Sequence, residues 1–248
     1  MTAGVENKYH RNYDGYYPDM ARRLDGFWGQ VDRRINERIL RLLPEGSVLD
    51  VGCGFGSLTA FLCAAGRDAI GVDMMEEAID VARSRYPGVR VVHHIGAGLP
   101  AELSGRRIIV LKDTLHHLVA ESDVDALLTA WSRSGAEYVV VSDPNPNVVL
   151  RACRALIRHT DPECSVERAR EVLARSGFDV IACEYDVIFS LPLSGGYVGP
   201  VLWPGWRVTG TAALALETAL VAAARAVGAA PALCWRYFLV ARRRTTAR

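Results

Sequence analysis

The hydrophobic pattern of the chain changes its period repeatedly between residues 47 and 142. Short runs rich in β-branched residues alternate there with stretches in which apolar residues recur at helical spacing. The β-branched runs predict five strands, SVLDV (47–51), DAIGV (68–72), VRVVHH (89–94), RIIVL (107–111) and YVVVS (138–142). The intervening helices are predicted at Ser57–Ala65, Glu76–Ser84 and Val124–Arg133. Because strands separated by helices indicate parallel βαβ units, the pattern predicts an open α/β sheet covered on both faces.

The flanking segments complete this picture. Residues 1–45 are helical in pattern and rich in aromatic side chains. The later segment predicts a helix at Val166–Ser176, a strand at Val180–Phe189, a loop over Leu191–Gly210, an alanine-rich helix over Thr211–Ala230 and a final strand at Trp235–Ala241. The alanine-rich helix contains Glu217 and Arg225, whereas a membrane span requires about 20 predominantly apolar residues. We therefore expect no membrane span.

The amino-acid composition limits which partners and which cellular compartment we expect for this protein. Lys and Arg together number 29 against 28 Asp and Glu, and this near-neutral balance disfavours nucleic acid as a partner. The six cysteines form no C-x-x-C pair and the N-terminus has no apolar signal sequence, so we expect free thiols and a cytoplasmic protein. The adjacent His93 and His94 on one strand point to opposite faces, so no metal site is expected.

Three alternate glycines follow the first predicted strand. The sequence Asp50-Val51-Gly52-Cys53-Gly54-Phe55-Gly56 leads directly into a helix. Glycine permits a tight turn and the close approach of a ligand, while a helix N-terminus offers free N–H groups. The second strand is followed by Asp73, where a carboxylate can accept hydrogen bonds from both ribose hydroxyls of a nucleoside. This arrangement indicates a cofactor that contains a nucleoside.

The spacing of the glycines separates two kinds of cofactor. A dinucleotide-binding loop requires G-x-G-x-x-G, whereas this chain carries an acidic residue followed by G-x-G-x-G. The loop resembles motif I of the class I S-adenosylmethionine-dependent methyltransferases. The resemblance extends to Leu111–Leu118, Ser142–Pro146 and Ser165–Phe178, and it covers roughly residues 45–242.

The resemblance implies a Rossmann-like, doubly wound, mostly parallel sheet of seven strands with an antiparallel last strand, plus a helical cap. It implies S-adenosyl-L-methionine as the cofactor and S-adenosyl-L-homocysteine as the product. Asp73 is then the ribose ligand and Met74 packs on adenine, while His117 packs on the methionine moiety if it is not the base. The expected cofactor-binding residues are Asp50, Gly52, Cys53, Gly54, Gly56, Asp73, Met74, Ala97, Gly98, Lys112, His117 and Tyr17.

One segment departs from the family pattern. After the third strand the family commonly carries an acidic residue that holds the adenine amino group, but His94–Pro100 contains no carboxylate. Backbone groups around Ala97 and Gly98 would then hold adenine. The departure leaves room for an alternative function, in which the fold binds the cofactor but catalyses cyclisation, isomerisation or decarboxylation.

The catalytic candidates follow the fourth and fifth strands, whose carboxyl ends form the ligand-binding edge of such sheets. A hydroxyl or carbon acceptor must lose a proton, and histidine is suited to removing it near neutral pH. His116 or His117 is therefore a candidate base, with turn capping or cofactor packing as the alternative. Asp113 and Asp143 are candidates as base or as partners that orient a histidine, with a turn or helix-capping carboxylate as the alternative.

The outer segments predict how an acceptor is enclosed. Residues 1–45 are expected to form an N-terminal helical lid, residues 46–189 and 231–248 the cofactor-binding core, and residues 190–230 a cap insertion. The alternative for these outer segments is ordinary core packing or a dimer face. The sequence thus predicts methyl transfer to oxygen, or to carbon, of a small apolar or aromatic metabolite. We expect a monomer or homodimer and a role in natural product biosynthesis.

Overall fold

A seven-stranded sheet forms the centre of the protein in the computed structural model. The structure describes residues 15–95, 103–121, 124–133, 135–156, 162–196 and 207–244. The strands are β1 (Val48–Val51), β2 (Ala69–Asp73), β3 (Val91–His93), β4 (Ile108–Lys112), β5 (Tyr138–Pro144), β6 (Phe178–Asp186) and β7 (Arg236–Arg243). Their order across the sheet is β3-β2-β1-β4-β5-β7-β6. Strands β1 to β5 are parallel and β7 is antiparallel to both of its neighbours, which confirms the predicted sheet.

Helices cover both faces of this sheet. They are α1 (Tyr16–Arg23), α2 (Phe27–Leu42), α3 (Ser57–Ala64), α4 (Glu76–Arg85), α5 (Leu115–Glu121), α6 (Val124–Arg133), α7 (Val148–Leu156), α8 (Val166–Arg175), α9 (Ser190–Ser194), α10 (Arg207–Ala226) and α11 (Ala230–Leu233). Successive residues of a strand point to opposite faces, so the neighbours Val110 and Leu111 enter two different apolar clusters. The core is therefore divided into two layers by the sheet.

Helix α2 belongs to one of these layers. Phe27, Val31, Ile35 and Ile39 recur every four residues along one side of the helix, and all four are buried. They share an apolar cluster with Val48 of β1. This part of the predicted lid thus contributes to the core, while the division into lid, core and cap stays a prediction.

The end of β6 differs from the prediction for a specific reason. The strand ends at Asp186 rather than at Phe189. Glu217 on α10 accepts the backbone N–H groups of three successive residues through its Oε1, each at 2.9 Å: Ile188, Phe189 and Ser190. Because these donors face a carboxylate on a helix, they are not available to a neighbouring strand, and the chain turns into α9.

The predicted loop over residues 191–210 is wrong at both ends. Helix α9 includes residues 190–194 and helix α10 begins at Arg207, while residues 197–206, with Trp203 and Trp206, lie outside the described part of the chain. Helices α5 and α7 were not predicted either, because both are short and follow turns at the carboxyl ends of strands. Within the residues that the structure describes, no helix combines the length and the apolar character that crossing a membrane requires.

Candidate functional site

The three glycines between β1 and α3 all adopt positive φ angles. The angle is 69° at Gly52, 52° at Gly54 and 78° at Gly56, a region that favours glycine because it has no Cβ. Gly52 is also confined, since a Cβ there would lie 2.3 Å from Oγ1 of Thr114. At Gly54 the nearest described atom to such a Cβ is Cε1 of Tyr17, at 3.9 Å. The loop therefore leaves room beside Gly54 for a ligand to approach the backbone.

Asp73 lies at the end of β2, next to this loop. Its Oδ2 accepts the N–H of Gly54 at 2.8 Å, and its Oδ1 accepts the N–H of Met75 at 2.9 Å. Burial raises the pKa of this carboxyl group, and the backbone hydrogen bonds oppose that rise. A carboxylate offers about four lone-pair sites, so Asp73 retains the capacity to accept a hydrogen bond from ribose. The geometry thus fits the cofactor that the glycine spacing implies.

Tyr17 and Met74 border the same carboxylate. The pKa of the Tyr17 hydroxyl is raised by burial and by the negative charge of Asp73, which locates this residue of α1 at the glycine loop. Met74 is half-buried, and its carbonyl oxygen lies 2.9 Å from Nε2 of His93. His93 therefore supports the turn after β2. Across the described ranges, no group of His, Cys, Asp or Glu side chains is arranged to hold a metal ion.

Asp50 and Cys53 make their described contacts with the protein framework. Asp50 is buried in β1, where its Oδ2 accepts the hydroxyl of Thr59 on α3 at 2.6 Å. Burial raises the pKa of Asp50 to about 6. Cys53 packs against Gly71, where a Cβ would lie 2.8 Å from the Cys53 sulfur. Burial also raises the pKa of this thiol, which favours a space-filling role over a nucleophilic one.

A buried histidine–carboxylate pair joins the end of β4 to the end of β5. Asp143 is fully buried and its Oδ2 accepts the backbone N–H of His116 at 2.9 Å. The other oxygen, Oδ1, lies 3.2 Å from Nδ1 of the His116 ring. One carboxylate thus holds the start of α5 through a backbone hydrogen bond and lies beside the imidazole of the same residue. The ring of His117 lies beside that of His116, with 4.2 Å between their centroids.

Asp113 occupies the turn that precedes this histidine pair. Its φ is 55°, which is uncommon for a residue with a side chain. Its Oδ1 lies 2.7 Å from Nη2 of Arg236, a fully buried guanidinium at the start of β7. The same nitrogen donates to the carbonyl oxygen of Ser142 at 2.9 Å. The arginine thereby supports a turn whose backbone conformation is unfavourable by itself.

Lys112 points to helix α2. Its Nζ lies 2.5 Å from Oδ1 of Asp32 and 2.7 Å from Oδ1 of Asn36, and all three side chains are buried. Asn36 also donates to Asp32 at 3.0 Å. The ammonium group is thereby held on α2, and its predicted contact with the cofactor stays a prediction. The sequence indicated this network only through Asp32 and Asn36, two polar residues four positions apart that interrupt the apolar side of α2.

The sheet brings most of the predicted site residues to one edge. The glycine loop, Asp73 and the His116–Asp143 pair lie at the carboxyl ends of β1, β2, β4 and β5, and these strands are adjacent in the order β2-β1-β4-β5. Ala97 and Gly98 lie outside the described residues. The supporting residues that sequence analysis missed are Thr59, Thr114 and Arg236. Of these only Arg236 carried a visible signal, as a charge that opens an apolar strand.

Known proteins are similar to this chain in sequence and in fold. A family model described as "Methyltransferase domain" matches residues 48–137. A ubiquinone biosynthesis O-methyltransferase of Bordetella avium is 30% identical over 111 residues, which are 45% of this chain and 38% of that protein. A 2-heptyl-1-hydroxyquinolin-4(1H)-one methyltransferase of Mycobacteroides abscessus is 27% identical over 152 residues, or 57% of this chain and 66% of that protein. The chain thus spans less than half the length of the first relative.

A solved structure extends the similarity of fold to nearly the whole chain. Magnesium protoporphyrin IX methyltransferase from Synechocystis PCC 6803, crystallised with bound S-adenosylhomocysteine, superposes with a TM-score of 0.61. The alignment covers 97% of this chain and all of that one at 16% sequence identity. Residues 48–137 thus match a methyltransferase domain, the chain has the fold of S-adenosylmethionine-dependent methyltransferases, and S-adenosylmethionine is its cofactor.

Proposed function

We propose that this protein transfers the methyl group of S-adenosylmethionine to an oxygen atom of a small apolar or aromatic molecule, with carbon as the second candidate atom. The observation that carries the proposal is the His116–Asp143 pair, which lies at the same sheet edge as the glycine loop and Asp73. Methyl transfer from a sulfonium is a displacement in which positioning supplies much of the rate. A hydroxyl acceptor additionally needs a base.

The cofactor is held by three groups of residues in this proposal. The backbone of Gly52–Gly56 faces it, the carboxylate of Asp73 accepts hydrogen bonds from the ribose, and Tyr17 closes over the loop from α1. Met74, half-buried beside Asp73, packs on the adenine ring. When bound, the cofactor supplies the electrophilic methyl group. Asp50 acts indirectly, because its bond to Thr59 joins β1 to the helix that follows the glycine loop.

His116 is the proposed base. Asp143 lies beside Nδ1 and so favours the tautomer that carries its proton there, which leaves Nε2 to accept the proton of the acceptor hydroxyl. The buried carboxylate also stabilises the imidazolium ion that forms. His117 borders the same ring and packs on the methionine moiety. Asp113 is less suited to accept the proton, because its carboxylate is paired with the buried Arg236.

The name of one relative supports oxygen as the acceptor atom, and the name of another supports a ring compound as the acceptor. One relative is an O-methyltransferase of ubiquinone biosynthesis, and the acceptor in the name of the other is a heptyl-substituted hydroxyquinolinone. Both names describe a small molecule. The near-neutral charge of this chain is consistent with such an acceptor, because nucleic acid would require a basic surface.

The experiment has two stages. Calorimetric titration with S-adenosylmethionine first measures binding to the wild type and to Asp73→Ala. The protein is then incubated with the cofactor and with separate panels of phenols, hydroxyquinolinones and carbon acids, and S-adenosylhomocysteine is quantified. Its formation with phenols or hydroxyquinolinones, but not with carbon acids, supports transfer to oxygen. A new product without S-adenosylhomocysteine would instead favour the alternative in which the bound cofactor assists a reaction other than methylation.

A further inference from the structure

Helix α10 buries its acidic residue and exposes its apolar ones. Glu217 has no exposed surface, whereas Leu216 and Leu220 are 57% and 42% exposed, and Val227, the first residue after the helix, is 78% exposed. Most of the other exposed positions from residue 211 onward are alanines, namely Ala212, Ala215, Ala219, Ala222, Ala223 and Ala226. A surface helix of a monomeric protein ordinarily has the opposite distribution, and an exposed apolar stripe of this kind marks an interaction surface.

The buried contacts of α10 fix which side faces outward. Glu217 caps the chain after β6 through three backbone N–H groups, and its Oε2 accepts the hydroxyl of Ser190 at 2.5 Å. Arg34 on α2 lies 3.7 Å from the same carboxylate. Arg225, the last residue but one of the helix, donates from Nε to the carbonyl oxygen of Tyr185 at 3.1 Å. Rotation of the helix about its axis would break all of these contacts, so the apolar side stays exposed.

We propose that a second copy of this chain covers the exposed side of α10, with the two helices antiparallel and the two-fold axis between Ala219 and Leu220. An interface of this symmetry uses the same patch twice, so each contact occurs in two copies. About this axis every large exposed residue faces a small one: Leu216 meets Ala223, Leu220 meets Ala219 and Val227 meets Ala212. Small residues along the remaining positions let the two backbones approach closely.

The available area is compatible with a stable dimer. A helix of 20 residues is about 30 Å long and about 10 Å across, so half of its lateral surface is roughly 500 Å². A standard interface buries about 800 Å² on each partner. Helix α11 contacts α10 and carries Leu233, which is 42% exposed, and α11 in turn contacts α7 with the exposed Val148. These neighbouring elements supply apolar surface beyond that of α10.

The composition of the patch favours a protein partner over a lipid surface. Helices that lie on membranes carry Lys and Arg along their polar side and bulky apolar residues on the other. From residue 211 to its end, α10 carries one cationic side chain, that of Arg225. Its guanidinium donates to the carbonyl oxygen of Tyr185. Alanine contributes little to membrane insertion but allows close helix packing. The exposed side of α10 is therefore better suited to packing against the same surface of a second copy than to binding a bilayer.

Sedimentation equilibrium of the full chain, from low micromolar to near-millimolar concentration, tests the proposal. We expect the wild type to reach twice the monomer mass of 27.1 kDa. The double variant Leu216→Glu/Ala219→Glu should remain monomeric, with the unfolding temperature that the wild type shows at concentrations where it is monomeric. The control Ile181→Glu removes an apolar residue that is 59% exposed on β6, and it should dimerise like the wild type. A wild type that stays monomeric throughout, or a double variant that still dimerises, would overturn the proposal.

Cross-linking tests the orientation without depending on the double variant. A short bismaleimide should join two copies of Ala219→Cys, which lie beside the axis, above the background given by the native cysteines. Ala212→Cys should not cross-link to itself but should cross-link to Val227→Cys when the two variants are mixed. Self-cross-linking of Ala212→Cys would contradict the antiparallel arrangement. Sedimentation with neutral phosphatidylcholine vesicles completes the test, since binding that the Leu216→Glu/Ala219→Glu variant loses would assign the patch to lipid instead.

Discussion

Thr114 fills the space that a side chain at Gly52 would need. A Cβ built on Gly52 would lie 2.3 Å from Oγ1 and 2.6 Å from Cγ2 of Thr114, and the threonine hydroxyl is itself bonded to the carbonyl oxygen of Lys112 at 2.9 Å. The contact joins the glycine loop after β1 to the turn after β4. The loop that faces the cofactor and the turn that carries the proposed base are therefore packed directly against each other.

Gly52→Ala is expected to destabilise the fold and abolish cofactor binding. The new Cβ overlaps Thr114, and the positive φ is unfavourable for alanine, so the free energy of unfolding should fall by about 2–5 kcal/mol. Gly54→Ala is the matched control, because its φ is also positive but its Cβ meets its nearest described neighbour only at 3.9 Å. Denaturant unfolding and calorimetry measure both effects. Equal losses of stability in the two variants would contradict the packing argument.

Asp73→Ala is expected to weaken S-adenosylmethionine binding by roughly a hundredfold or more. The change removes the carboxylate proposed to bind the ribose hydroxyls, together with the bonds to Gly54 and Met75 that shape the loop. Asp68→Ala is the control, since this acid lies just before the other end of β2 and pairs with the exposed Arg90. Calorimetry should show wild-type affinity for Asp68→Ala. Retained binding in Asp73→Ala would remove this residue from the cofactor site.

Asp50 should make the stability of the protein depend on pH. Its pKa is raised from 3.8 to about 6 in the folded state, so the folded protein favours the protonated carboxyl. The associated stability is present below pH 4 and is lost as the pH rises through about 6, with a full difference of about 3 kcal/mol. Asp50→Asn should therefore gain stability relative to the wild type between pH 5 and pH 7.5.

Denaturant unfolding of both proteins across this pH range measures the difference, and other titrating groups cancel in the comparison. Thr59→Val is a useful companion, because the Thr59 hydroxyl lowers the pKa of Asp50. Its removal should move the loss of stability to higher pH. A difference between wild type and Asp50→Asn that does not vary with pH would show that the carboxyl group does not titrate in this window.

We expect substitutions in the His116–Asp143 pair to lower kcat without weakening cofactor binding. Once an acceptor is identified, His116→Gln should lower kcat by about 10²–10⁴, the usual contribution of a general base, while cofactor affinity stays within about threefold. Asp143→Asn should lower kcat and move the pH profile, because the amide no longer favours the same tautomer of His116. His117→Gln is the comparison variant. A larger loss of kcat in His117→Gln than in His116→Gln would transfer the role of base to His117.

The fold was predictable because its signals are local. A strand is marked over about four to seven positions by apolar residues that either alternate with polar ones or follow one another directly. The loop after β1 requires glycine because the chain turns tightly there beside a ligand. These features identified five parallel strands, the cofactor loop and Asp73 from short stretches of sequence. The late segment was less predictable, because the end of β6 depends on Glu217, which is nearly thirty residues away.

By itself, the sequence determined the class of fold, the cofactor and the sheet edge at which the site lies. Only the tertiary structure showed which side chains work together there. It paired Asp143 with His116, Arg236 with Asp113 and Lys112 with Asp32, and residues 80 or more positions apart meet in the last two of these pairs. It also showed that α10 faces outward with its alanines. The physical reason is that the hydrophobic pattern specifies local structure and indicates which positions are buried. The partner of a buried polar side chain is instead decided by how distant elements pack together.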